Sequence, residues 1–325
     1  MDRRTFLRAA AAAPLALTLA PRAAAGGGGG RTLALATADL DARVVAVDPA
    51  SGRVVARIAT PPDPRSIETL GLAHTALAAC TASGVVVVID AARREVRHEL
   101  EGFTEPRYAA RARDPRLAYV TDSGRGEIVV VDAARGRILR RLVVGGPARH
   151  LGVDPSLRRL WVSLGNQAAA VAVVDVDEPA RPRMVRRFAP VDRAHDVVFG
   201  ADGAEVWVTS GTEHAVAIHD ARTLRPLRVL AAGDPPQHVA VVPGGAVHVT
   251  SGDDGTLHVH DPLRGRLRRA VRVPVGSFNV STDGTWVVAP SLSRGTLAIL
   301  DARGTRRRTL RIGRAAHDAC LVAVP

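Results

Sequence analysis

Along the chain, short runs of Val, Ile, Leu and Ala alternate with turns rich in Asp, Gly and Arg, and one phrase keeps returning. An apolar run ends in Asp, a turn follows, and a strand carrying Arg comes next. The anchor aspartates are Asp48, Asp90, Asp132, Asp175, Asp220, Asp261 and Asp301, spaced 40 to 45 residues apart. Within one repeat the pattern predicts strands over 109–112, 117–121, 127–131 and 137–143, separated by Asp-Pro, Ser-Gly and Ala-Arg-Gly turns. The third is wholly apolar (Ile128, Val129, Val130, Val131), as befits a strand covered on both faces. A period near 40 with four short strands per unit is the mark of a propeller. The prediction is therefore an all-β, seven-bladed β-propeller over 31–325, with four antiparallel strands per blade.

The ends suggest how the ring closes. The first unit offers strands over 32–37, 43–47 and 53–58 but no innermost strand before them, whereas the chain finishes on an innermost-type strand over 318–324. Placing that last strand beside 32–37 completes the seventh blade and removes an open edge.

Tyr119-Val120-Thr121-Asp122 nearly repeats the Tyr-Val-Thr-Asn signature of the YVTN-repeat, YncE-like propellers. Trp161-Val162-Ser163, Trp207-Val208-Thr209-Ser210 and His248-Val249-Thr250-Ser251 are variants of it. Asp-Gly turns at Asp202-Gly203 and Asp283-Gly284 add to the likeness. Over 31–325 the chain resembles that family. The resemblance implies a WD40-like ring of blades and leaves function open, because such folds host unrelated activities.

The first 25 residues read as a targeting segment. Arg3-Arg4-Thr5-Phe6-Leu7, a mildly apolar run over 9–20 and an Ala23-Ala24-Ala25 cleavage site resemble a twin-arginine signal peptide. Gly26 to Gly30 form a glycine linker. The expectation is a secreted protein, in the periplasm, cell wall or extracellular space, with no transmembrane segment after cleavage.

Composition removes several chemistries. The 44 basic side chains are all Arg, so no lysine Schiff base and no phosphate-loop lysine is available. The two cysteines, Cys80 and Cys320, make no CxxC motif and are expected to be buried thiols. No GxSxG or HExxH motif occurs. The net charge of +12 invites a nucleic-acid partner, but more than half of the arginines fall in the stretches of the predicted outermost strands, where charge guards exposed edges, and the aromatics needed for base stacking make up only 3%. DNA binding is the least favoured reading, and a monomer is the expected state.

The suggestive chemistry converges on the channel mouth, where innermost strands begin. Aligning the repeats on their second strands brings Glu68, Tyr108, His150, Asp196, His238, Ser277 and Asp318 into one ring, with Arg107, Arg149, His195 and His317 just before it. His150, His195, His238 and His317 are candidate ligands for a divalent transition metal, copper or zinc. Channel-end histidines resemble those of nitrous oxide reductase and the haem d1 nitrite reductases, but the full histidine set and the haem c motif of those enzymes are missing. The alternative is a polar ring that holds channel water and caps strand starts. His248, His258 and His260, with His219, read as blade-face residues in aromatic positions.

Two main functions follow. One is a binding module for a protein, a polymer or a small molecule, with or without a metal. The other is a metal-dependent hydrolase of lactonase type, or a lyase, using the same ring.

Overall fold

The computed structural model describes residues 30–242, 244–262 and 266–325. The targeting segment over 1–25 and most of the glycine linker lie outside these residues. Apart from a 3-10 turn at Asp39–Asp41, the regular structure described is all strand. The strands form seven four-stranded antiparallel sheets, the blades of a propeller. Six sheets take their strands consecutively from the chain. The seventh mixes the termini: Ala319–Val324 pairs with Arg31–Ala38, followed by Arg43–Asp48 and Arg53–Ala59. Leu33 faces Val322 and Leu35 faces Cys320 across that seam, so the ring closes as predicted.

The anchor aspartates form the turns. Asp48 Oδ1 accepts the N–H of Ala50 at 2.9 Å, Asp90 Oδ1 that of Arg93 at 2.9 Å, and Asp220 Oδ1 that of Arg222 at 3.0 Å. Such a side chain imitates a backbone turn and reverses the chain after the third strand. The outermost strand that follows is largely exposed and basic, as in Arg183–Phe188 and Arg306–Arg311. Arg307 reaches back to Asp301 at 2.6 Å and Arg268 to Asp261 at 3.0 Å. An exposed pair such as Arg307 with Asp301 contributes only about 0–1 kcal/mol, so the charged rim serves mainly to discourage edge-to-edge pairing.

The core lies between blades. Trp161, Trp207 and Tyr119, at one repeat position, are fully buried. Trp161 meets Phe188 and Phe199 edge-on at 4.9 and 5.8 Å. Near the axis the blades approach closely: a Cβ on Gly152 would stand 2.2 Å from the carbonyl oxygen of Val197 in the next blade. Glycine there sets the inter-blade distance.

Candidate metal centre

A repeated clip sets the register of the innermost strands. Thr121 Oγ1 accepts the N–H of Tyr108 at 3.0 Å and donates to the carbonyl of Arg149 in the next blade at 2.6 Å. Thr209 does the same with Asp196 N–H (3.0 Å) and the Gln237 carbonyl (2.6 Å), and Thr250 with His238 N–H (3.2 Å) and the Phe278 carbonyl. Where the second strand has Ala79 or Pro290 instead, the innermost strand supplies the donor: Ser66 Oγ to the Arg107 carbonyl, and Asn279 Nδ2 to that of His317 at 2.8 Å. The threonine of the Tyr-Val-Thr phrase is thus a circumferential tie.

These ties identify the equivalent residues as Ser66, Tyr108, His150, Asp196, His238, Asn279 and Asp318. Two members of the predicted ring therefore shift. Glu68 lies two residues farther along its strand and still lines the channel. Ser277 lies two residues before the ring position, buried, with its Oγ unpaired and outside the channel lining. Asn279 occupies the place predicted for it. Tyr108, His150, Asp196, His238 and Asp318 line the lumen, a cavity of about 290 Å³.

Three histidines converge there. His150, His195 and His238 are buried, and one ligand nitrogen from each lies within 4.8 Å of the others. They are the single group of three or more metal-ligating side chains among the described residues. His195 Nδ1 lies 3.0 Å from the carbonyl of Asn166, so that nitrogen carries the proton and Nε2 is left with its lone pair. His238 Nδ1 faces Asp196 Oδ2 at 3.3 Å, and its Nε2 lies 3.4 Å from the Tyr108 hydroxyl. Neither nitrogen of His150 has a hydrogen-bond partner. Its ring sits 4.3 Å from both Tyr108 and His195, centre to centre.

The electrostatics keep the His150 and His195 rings neutral. Burial drives the pKa of His150 well below the ordinary imidazole value, and the neighbouring His195 and His238 push the same way. Burial lowers that of His195 to about 3. Around them the carboxylates differ. Burial would raise Asp196, but His238 and the Val239 N–H outweigh it and hold the carboxyl low. Asp318 is raised to about 6, chiefly by burial. Glu68 meets lumen water yet is enclosed by the strands of the ring; that enclosure and the Asp318 charge raise it to about 8.

Asp196 and Asp318 also tie blades together. Asp196 Oδ2 accepts the N–H of Val239 at 3.1 Å, and Asp318 Oδ2 accepts that of Ile67 in the next blade at 3.0 Å. His317 is half-buried and stands apart from the histidine trio, with its Nδ1 3.8 Å from Asp39 Oδ2. Arg107 and Arg149 stand at the mouth just before Tyr108 and His150. The equivalent Arg65 was missed, although Pro64-Arg65 repeats the Pro106-Arg107 phrase.

His219, His248, His258 and His260 lie on third and second strands of the blades. His219 Nδ1 lies 3.0 Å from the carbonyl of Leu224, and His248 Nε2 lies 3.2 Å from that of Ala302. His260 stands 5.9 Å from Trp207 and His258 stands 6.2 Å from His260, ring centre to ring centre. Cys80 and Cys320 are free buried thiols within one apolar cluster.

A family model described as outer membrane protein assembly factor BamB (PQQ_2) matches residues 5–145, less than half of the chain. A crossover junction endodeoxyribonuclease RuvC from Nocardia farcinica is 37% identical over 83 residues, 23% of this chain and 41% of that protein. This chain therefore spans well under two thirds of that curated relative. Among solved structures, apo AztD from Citrobacter koseri superimposes with a TM-score of 0.70 at 13% identity, over 91% of this chain and 99% of that one. A functionally unknown protein from Desulfotomaculum acetoxidans gives 0.76 at 12%, over 89% and 98%. Hydrazine synthase from Kuenenia stuttgartiensis gives 0.67 at 17%, over 79% and 89%. At such identities the likeness is one of fold, and the fold is the seven-bladed β-propeller.

Proposed function

We propose that this chain is an exported binding propeller whose channel mouth takes a divalent transition metal, zinc or copper, on His150, His195 and His238. The observation that carries the reading is their convergence within 4.8 Å. A tetrahedral ion with metal–nitrogen bonds of about 2.1 Å separates its donors by about 3.4 Å, so small ring rotations suffice. The second contacts suit a metal site: a carbonyl orients His195 and a carboxylate orients His238. The neutral imidazoles of His150 and His195 need lose no proton to bind. The partial likeness to BamB and the fold shared with AztD, solved in an apo form, are in keeping with a binding role.

The test is calorimetric titration of chelator-treated protein with zinc and with copper(II). One ion per chain is expected, lost in the His150→Ala, His238→Ala double variant. Unchanged uptake in that variant, or no saturable uptake by the parent, would overturn the proposal.

A second reading, a metal-dependent hydrolase or lyase, is favoured by one observation. The Tyr108 hydroxyl and the Glu68 carboxyl, raised to about 8, share the lumen with the histidines. Three histidines leave a fourth metal position for water. Zinc-dependent turnover in a panel of lactones and esters, lost in the same double variant, would select it.

A further inference from the structure

The metal site makes no use of the arginines at the mouth. Arg65, Arg107 and Arg149 occupy one repeat position in three consecutive blades, immediately before Ser66, Tyr108 and His150. Arg65 and Arg107 both lie within electrostatic reach of Arg149, as do Tyr108 and Glu105. Arg65 has Asp63 at 3.9 Å and Arg107 has Glu105 at 3.6 Å. Arg149 has neither: Pro147 stands where those acids would be, and no carboxylate lies within ion-pair distance of it among the described residues. The Nε atoms of both Arg107 and Arg149 are buried without a hydrogen-bond partner.

A partly desolvated guanidinium, crowded by two like charges and lacking a counter-ion, is destabilising unless an anion joins it. Guanidinium donors form a planar fork that fits the two oxygens of a carboxylate or phosphate. Arg149 is the member of this row without an acid two residues before it, and its buried Nε and that of Arg107 have no partner.

We propose that Arg65, Arg107 and Arg149 clamp an oxyanion, the carboxylate or phosphate group of a small ligand, across the channel mouth. Arg149 is its principal contact, and Arg65 and Arg107 share their charge between the anion and Asp63 and Glu105. The clamp does not depend on the metal, because none of its three donors is a metal-ligand candidate, although His195 follows Arg149 in the same row of repeat positions.

Metal-stripped protein is titrated calorimetrically with inorganic phosphate and, separately, with succinate, at low ionic strength with chloride as the background anion. Saturable binding of at least one is expected, and whichever binds more tightly identifies the oxyanion. Arg149→Gln should weaken it by about tenfold or more, Arg149→Lys by less, since a charge without the fork remains. Arg186→Gln, on the exposed outermost strand, should leave it unchanged. In the same chloride buffer without phosphate or succinate, Arg149→Gln should melt no lower than the parent, because it removes an unmatched charge. Absence of saturable binding, equal loss in Arg186→Gln, or full binding in Arg149→Gln would overturn the clamp. Because no metal is present, these outcomes are separate from the fate of the histidine site.

Discussion

The carboxylate of Asp196 stands 3.3 Å from Nδ1 of His238 in the next blade, and the same oxygen accepts the Val239 N–H at 3.1 Å. One side chain thus orients a metal-ligand candidate and ties two blades together. The two roles can be separated. Asp196→Ala should lower metal affinity by about 10–100-fold and, by stranding a buried N–H, cost about 1–3 kcal/mol in denaturant melts. Asp196→Asn keeps an acceptor for Val239, so affinity should fall while most of the stability remains. Equal losses in both variants would leave the carboxylate no role specific to His238.

Glu68 and His195 bend the pH dependence of stability in opposite directions. The carboxyl of Glu68 moves from 4.5 to about 8 on folding. The folded state therefore holds the proton more tightly in that window, and stability falls as pH rises through it. His195 moves from 6.5 down to about 3. There the unfolded chain takes up the extra proton, so stability falls as pH drops through that window. Glu68→Gln should flatten the loss of melting temperature toward alkaline pH and leave the acid limb in place. A parallel profile for the two proteins would refute the assignment.

Thr121 accepts from Tyr108 N–H and donates to the Arg149 carbonyl, both in a buried setting. Thr121→Val matches its shape while removing both bonds. A loss of about 1–3 kcal/mol follows, read as a lower denaturation midpoint with an unchanged slope. Thr121→Ser should recover most of it. A neutral Thr121→Val would show that the clips follow the ring geometry and do not hold it.

Burial pushes the Cys80 thiol up to about 12 and that of Cys320 well above its ordinary value. Neither should react with a disulfide reagent in the native protein, and both should react in denaturant. Rapid native labelling, or thiols missing after unfolding, would contradict the free, buried state.

The candidate site was legible in part. Tyr108, His150, Asp196, His238 and Asp318 could be aligned because each follows a second-strand phrase at nearly constant distance. Glu68 and Ser277 could not, since the innermost strands carry bulges, as between Pro64 and Ser66, or pair over as little as Ser281–Thr282. Backbone pairing sets register there, and no alternation of side chains records it.

The amino-acid sequence by itself determined the blade count, the four strands per blade, the mixed-termini seam and the basic rim. All of these are periodic or local: an apolar run, an Asx turn and an edge strand write themselves into neighbouring residues. Only the tertiary structure decided that His150, His195 and His238 converge while His317 turns toward Asp39. Those facts depend on distances across a closed ring, between residues of different blades. No local pattern encodes them, because the closing of seven blades brings those side chains together.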